Sequence, residues 1–313
     1  MLKDSARDCK GAIDWGGPEV TETMPAPAPG AAGPKPRLVC PPGAADCHIH
    51  FYGTRAAYPL APSCPIPPPY APVEAYRGVM ARLGLTRVVI VQPSAYGTDN
   101  RCTLDGLAEL GAAARAVVVV DQSVTDAELE RLTGLGVRGI RYFMLPGGVL
   151  PWDSLEVMAA RVAPFGWHVQ LQLDGRDLPE RAAVLKRLPA TLVIDHNGKF
   201  LDPVAPDHPA FRTLLGLLEG GDCWVKVSAP YETSRAGPPL YGDVGALAKA
   251  LIAAAPERTV WASNWPHPTA LDDPPDDALL LDPLLEWTGD EALRRAILTD
   301  NPAALYGFGT VSR

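Results

Sequence analysis

Several features common in other proteins are missing from this chain of 313 residues, and each absence closes off a class of function. There is no excess of positive charge: 36 Asp and Glu outnumber 28 Lys and Arg, for a formal net charge of -8. Such a chain lays no general basic footprint on a nucleic-acid backbone, although a local cluster of Lys and Arg could still hold a small anion. There is no apolar run long enough to span a bilayer, so the chain reads as soluble with no membrane partner. There are no paired cysteines. Cys9, Cys40, Cys47, Cys64, Cys102 and Cys223 are scattered, without CxxC spacing, which favours free thiols in a reducing cytoplasm. The first 43 residues lack the apolar core of a signal peptide. Their MPAPAPGAAGPKPR stretch suits an extended, weakly ordered segment, with Met24 a candidate natural first residue.

Also missing is a GxGxxG phosphate turn after the first apolar run, which an open doubly wound sheet would normally carry. What is present from residue 44 onward is alternation. Short β-branched runs occur at 44–51 (AADCHIHF), 87–93, 116–121, 137–143, 168–174, 191–198, 223–229 and 259–266 (TVWASNWP). Helix-like stretches lie between them, and TDAELE carries a helix-start signal, with Thr125 as cap and Glu128 three residues on. Eight βα units in series predict an α/β fold, a single (β/α)8 TIM barrel over 44–313. The proline-dense loop at 52–72 follows the first strand, on the active-site face of a barrel, and serves there as a wall, a lid or a rigid connector.

Polar residues crowd the strand ends. On a strand, i and i+2 face one way, so His48 and His50 both aim into the barrel mouth. Gln92 ends the second run, with Tyr96 and Asn100 just after it; the fourth carries Arg138 and Arg141, of which one faces outward. The fifth places Gln170, Gln172 and Asp174 on one face. His196 and Lys199 follow the sixth, Lys226, Ser228, Tyr231 and Arg235 lie on or after the seventh, and Asn264 and His267 end the eighth. A lone strand-end histidine is ordinarily structural, and a lysine or glutamine can be hydrogen-bonded filler. Three histidines and a lysine on three strands of an apolar barrel point instead to a functional pocket. Asp195 and Glu232 are expected to face outward or to stand behind the pocket, and Cys47 to be a buried strand thiol.

The motifs DCHIHFYG, DHNGKF and WASNWPHP, with the closing DNPAALYGF, resemble the amidohydrolase superfamily in its lactone-acting branch. The likeness covers roughly residues 44 to 308 and is nearer the D-galactarolactone isomerases than the 2-pyrone-4,6-dicarboxylate lactonases. Members of the superfamily that use metal combine HxH and further histidines with a strand-8 aspartate, which binds metal and takes a proton from water. Here Asn264 stands in its place, a poor ligand and no base at neutral pH. The resemblance therefore implies chemistry without a cofactor. Were one divalent metal such as zinc present, His48, His50 and His196 would be its candidate ligands.

Two reactions remain open. In the first, a hydroxyl of a sugar-acid lactone attacks its own ring ester, so that no activated water is needed. His48, His50 and Lys226 would then stabilise the carbonyl oxygen, and His196 or His267 would shuttle the proton. Asn264 would bond a hydroxyl or the carbonyl. Arg141, with Lys199 or Arg235, would hold the carboxylate of a small anionic substrate, and Gln92, Tyr96, Asn100, Gln170, Gln172 and Tyr231 would line the site. In the second, a histidine-activated or metal-bound water hydrolyses the lactone in the same pocket. A metal-dependent decarboxylase and a barrel that binds without catalysis are the further alternatives. Barrels often pair through helix faces, but no stripe here is diagnostic of a homo-oligomer.

Overall fold

Residues such as RVVIV, apolar on both faces, form strands only where both faces are covered, which is the situation of a parallel sheet wrapped in helices. The computed structural model describes residues 33–64 and 67–309 and contains eight such strands. They are β1 (Ala45–Ile49), β2 (Arg87–Val91), β3 (Ala114–Val118), β4 (Val137–Phe143), β5 (His168–Gln172), β6 (Leu192–Ile194), β7 (Cys223–Ser228) and β8 (Thr259–Ala262). All neighbours are parallel and follow chain order. Just beyond β8, the Asn264 N–H donates to the His48 carbonyl at 3.0 Å and the His50 N–H to the Trp265 carbonyl at 2.8 Å. These bonds join the last strand to the first, and the sheet closes as the expected (β/α)8 barrel.

Helices α1 (Val73–Leu83), α2 (Arg101–Leu110), α3 (Asp126–Leu135), α4 (Leu155–Val162), α5 (Leu178–Leu185), α6 (Pro209–Glu219) and α7 (Gly242–Ala254) each follow one strand. Four short helices follow β8: α8 (Asp277–Leu281), α9 (Leu284–Thr288), α10 (Glu291–Arg295) and α11 (Asn301–Tyr306). Thr125 caps α3, its Oγ1 accepting from the Glu128 N–H at 3.2 Å. None of the described helices is long and apolar enough to cross a membrane.

Apolar side chains divide into two clusters. The larger fills the space between the sheet's outer face and the helices, with Ile49, Val88, Ile90, Ile140, Leu171 and Ile194 from the strands. The smaller lies inside the barrel: Ala45, Cys47, Val89, Val91, Val117, Val260 and Ala262 pack on Tyr306 and Phe308. Arg87 and Arg115, at the starts of their strands, stack over Phe308 at 5.2 and 4.7 Å. The C-terminal residues therefore make the floor of the barrel, and the opposite end is left for a site.

One irregularity decides where the first strand points. Asp46 pairs with Val88 but Ile49 with Ile90, so β1 carries one extra residue across this interval. Such a bulge breaks the in–out alternation. Cys47 joins the interior cluster, yet His48 next to it also reaches the interior side chains Gln170 and Lys226. Asp46 holds the bulge from outside. Its Oδ1 accepts the N–H groups of His48 (3.2 Å) and Ser263 (3.0 Å), and its Oδ2 accepts the Tyr76 and Ser263 hydroxyls at 2.9 and 2.5 Å.

Residues 1–32 of the N-terminal segment, including Met24, lie outside the described residues. The described remainder runs against the C-terminal helices: Leu38 is buried, and Asp282 accepts from its N–H at 3.0 Å and from the Arg37 guanidinium at 3.1 Å.

Candidate active site

Above the floor, four fully buried polar side chains from four strands meet. Lys226 Nζ lies 2.7 Å from Gln170 Oε1, 3.3 Å from His48 Nδ1 and 3.3 Å from Asp195 Oδ1. Gln170 Nε2 donates to Asp195 Oδ2 at 2.9 Å. Asp195 was expected outside or behind the pocket. It is at the centre, because β6 ends at Ile194 and the chain then turns through left-handed residues His196, Asn197 and Lys199 (φ 52°, 56° and 47°). Burial alone would raise the Asp195 carboxyl, but Lys226, His196, Arg141 and the Gln170 hydrogen bond hold it below its ordinary value. Burial lowers Lys226, and Asp195 opposes that. The geometry is that of an ionised pair. His48 Nδ1 lies 3.3 Å from both Lys226 Nζ and Asp195 Oδ1; with the ammonium donating to Nδ1 and paired with the carboxylate, the proton of the neutral ring sits on Nε2, which has no hydrogen-bond partner.

The pocket above this cluster has a volume of about 470 Å³, within the range of small-molecule sites. His50, His196, Arg141, Gln172, Lys199 and Asn264 line it, as expected. His50 Nδ1 lies 2.8 Å from the Val91 carbonyl, so Nδ1 carries the proton and Nε2 is a free acceptor. Burial, and then the charge of Arg141, pushes this imidazole down to about 3. The pocket-facing Nε2 of neutral His50 is thus a hydrogen-bond acceptor, whereas the expectation from sequence places His50 among the donors to a carbonyl oxygen. His196 Nδ1 lies 2.8 Å from Ser228 Oγ, and burial pushes this ring well below the ordinary histidine range.

Arg141 donates to the Gln92 carbonyl at 2.8 Å and to Gln172 Oε1 at 2.9 Å, and lies over the Phe143 ring. The Gln92 carbonyl, the Gln172 amide and the Phe143 ring are all neutral, and Arg141 Nε has no hydrogen-bond partner, so a buried guanidinium is available to an anion. Glu232, also expected outside, lines the pocket and is paired with Lys199, while Thr269 Oγ1 donates to it at 2.7 Å. Tyr52, Cys64 and Pro68 from the proline-dense loop form one wall. Tyr52 and Ala71 exchange backbone hydrogen bonds at 3.0 and 2.8 Å, which ties that loop's two ends together.

Other expected residues fall elsewhere. Lys226 is fully buried beneath the pocket, where it contacts His48, Gln170 and Asp195. Gln92 and Asn100 hold backbone groups of the second loop: Gln92 donates to the carbonyls of Gly97 and Asp99, and Asn100 to that of Val119. The Tyr96 hydroxyl accepts from the Gly53 N–H at 3.1 Å. The Arg235 side chain is 75% exposed and pairs with Asp202. His267 is fully buried behind Asn264, with Nδ1 3.2 Å from the Tyr231 hydroxyl and Nε2 3.0 Å from Asp277 Oδ1. The Asn264 Nδ2 donates to the same Tyr231 oxygen at 2.9 Å. Both Asn264 and His267 have left-handed backbone (φ 66° and 64°), which is why the run at 259–266 stops being a strand at Ala262.

Among the described residues, one group of donors could hold a metal ion: ligand atoms of His48, Asp195 and His196 lie within 4.8 Å of one another. It differs from the expected set in having Asp195 where His50 was expected. The Lys226 ammonium is 3.3 Å from two of the three donors. A divalent cation held by those two atoms would sit against that ammonium, which opposes its binding there.

The pattern of the amidohydrolases matches residues 45–308. The chain belongs to the amidohydrolase family. This amidohydrolase is 39% identical over 284 residues to a D-galactarolactone isomerase of Agrobacterium fabrum, covering 90% of this chain and 96% of the relative. It is 36% identical over 282 residues to a 2-pyrone-4,6-dicarboxylate hydrolase of Comamonas testosteroni, covering 87% and 92%. Its fold superposes on an apo crystal structure of an Agrobacterium tumefaciens protein with TM-score 0.84 and 38% identity, covering 90% and 99% of the two chains.

Proposed function

We propose that this amidohydrolase isomerises the lactone of a sugar acid by acyl transfer within the substrate. The observation that carries this reading is the side chain at the end of β8. Asn264 gives its Nδ2 to Tyr231 and keeps Oδ1 as an acceptor, so it can orient a hydroxyl but cannot deprotonate water. The names of both relatives, one an isomerase and one a hydrolase, support a lactone-type substrate.

In the proposed reaction a free hydroxyl of the substrate is first held by a hydrogen bond to Asn264 Oδ1, then turns its single proton to His50 Nε2, which takes it as the oxygen attacks. The hydroxyl oxygen forms a new ester bond with the ring carbonyl carbon, whose oxygen gains charge. His196, with the Nε2–H of His48 behind it, stabilises that charge. The old ester bond breaks, and its oxygen takes the proton back from His50. No water is consumed. His50 is a weak base in the free protein, and Arg141 is the second cause of that. A substrate carboxylate on Arg141 offsets its charge, so an anionic substrate raises the basicity of the group that serves it.

Hydrolysis by a histidine-activated water is the second reading, and the hydrolase relative favours it. Decarboxylation through a metal is disfavoured by the Lys226 ammonium among the donors. The site is that of a small-molecule enzyme. We place the protein in the cytoplasm, where the scattered cysteines of the sequence would stay reduced.

Proton NMR of fresh sugar-acid lactones, with a strong chelator present, tests the reading. A second lactone forming faster than the open acid is the expected result. Open acid as the sole product overturns it. Asn264→Asp then probes the deciding position: a carboxylate there should raise the share of open acid about 10-fold or more, and an unchanged ratio counts against its role.

A further inference from the structure

Asn264 is useful to a hydroxyl nucleophile only if its oxygen, not its nitrogen, meets the substrate. An amide can rotate by half a turn at little steric cost, so something must choose. The chain of contacts behind it runs Asn264, Tyr231, His267, Asp277, at 2.9, 3.2 and 3.0 Å. Its far end lies on α8, outside the sheet, where Asp277 is fully buried and its Oδ2 is 3.8 Å from Arg82 Nη2.

We propose that Asp277 is a positioning residue that sets the hydrogen-bond polarity of Asn264 through His267 and Tyr231. The inference rests on the acyl-transfer reading for its catalytic consequence, not for its structural content. A carboxylate only accepts, so Asp277 requires the proton of neutral His267 on Nε2. Nδ1 is then a lone pair and takes the Tyr231 O–H. The Tyr231 oxygen, its own proton spent, accepts from Asn264 Nδ2. Oδ1 is thereby turned to the pocket. Every link has one direction, and the direction originates at a residue that no substrate touches.

The substitution Asp277→Asn reverses the chain. The Arg82 guanidinium attracts the new amide oxygen, which leaves the amide nitrogen facing His267. Nε2 must then accept, the ring proton moves to Nδ1, and Tyr231 accepts from it. The Tyr231 hydroxyl donates to Asn264, whose amide rotates and presents nitrogen to the pocket.

Two independent measurements decide. Nitrogen-15 NMR of the histidine side chains should show His267 as the neutral Nε2–H tautomer in the wild type and the Nδ1–H tautomer in Asp277→Asn. An unchanged tautomer, or an imidazolium in the wild type, overturns the proposal. Turnover of the lactone should fall about 100-fold in kcat with KM little changed, because Arg141 still anchors the carboxylate. His267→Gln, made in the protein that keeps Asp277, should retain most of the turnover, because its amide can donate to Asp277 and accept from Tyr231 and so keeps the polarity; loss of turnover equal to that of Asp277→Asn would overturn the proposal. If Asp277→Asn does not fold, Tyr231→Phe cuts the chain at its middle and should give the same kcat loss with the His267 tautomer unmoved; normal kcat in Tyr231→Phe overturns the proposal. A reversed tautomer with unchanged kcat leaves the relay standing and sinks the reading of Asn264 as the hydroxyl's acceptor. Where the wild type turns over no lactone, the tautomer measurement stands alone and the acyl-transfer reading fails.

Discussion

Replacing Lys226 with Met deletes the ammonium between His48 and Asp195 and leaves a carboxylate buried with less compensation. At the 3.3 Å separation the attraction between the two charges is about 5 kcal/mol for an effective dielectric near 20. Part of that offsets desolvation, and breaking one side of a buried pair costs about 3–5 kcal/mol net. For a barrel of this size that is a fall in Tm of about 5–9 °C. The cost should depend on pH. In the wild type, Asp195 is held below its ordinary value, so its contribution is present above the ordinary carboxylate range and is lost as pH falls through its folded value. Without Lys226, burial dominates and the carboxyl is pushed up. The gap between wild type and variant should therefore be widest near neutral pH and narrow below about pH 4. Chemical denaturation at several pH values measures this. Adding Asp195→Asn to the Lys226→Met protein should recover about 2 kcal/mol, since the stranded charge is gone. A Tm loss below about 2 °C, or no recovery in the double variant, would refute the argument that these residues form an ionised pair.

Three further outcomes are expected. His50→Ala and His196→Ala should each lower lactone turnover about 100-fold or more in a steady-state assay, and unchanged turnover in both would sink the roles given to them. His50, held near 3 by burial and by Arg141, stabilises the fold above its unfolded value of about 6.5 and loses about 1.4 kcal/mol per unit as pH falls below that. His50→Asn should flatten the acid limb of the stability profile. Asp46, raised by burial to about 6, works in the opposite sense between about pH 4 and 6 but is common to both proteins, so their difference isolates His50. Glu232→Gln releases Lys199 into the pocket and should tighten binding of a dicarboxylate ligand about 10-fold or more by calorimetry; equal affinities would mean the pair does not set the charge of the site.

The barrel was legible because its strands are β-branched and its helices amphipathic, and the two patterns alternate eight times. The pair His48 and His50 was legible from spacing, but for an incomplete reason. They share the interior only because a bulge reverses the alternation between Asp46 and Ile49, and nothing in AADCHIHF announces a bulge. Asp195 was misplaced because the left-handed turn after Ile194 depends on contacts such as Asn197 with the Ser228 carbonyl, made across strands. His50 was given the wrong polarity because a tautomer is chosen by a partner far away in sequence, the Val91 carbonyl. Asp277 sits in DDPPDDALL, which reads as an ordinary polar loop, and only packing brings it to His267.

The floor of the barrel has a temporal meaning. Tyr306 and Phe308 close the interior from below, and they are among the last described residues of the chain. On a ribosome, β1 through β8 are complete before these rings exist. Until α11 docks, water can enter from the floor and reach Lys226 and Asp195, and the pair is held in a medium of high dielectric. The apolar medium beneath the site is thus supplied by the last turns of the chain, and its electrostatics depend on residues far from the pocket in sequence.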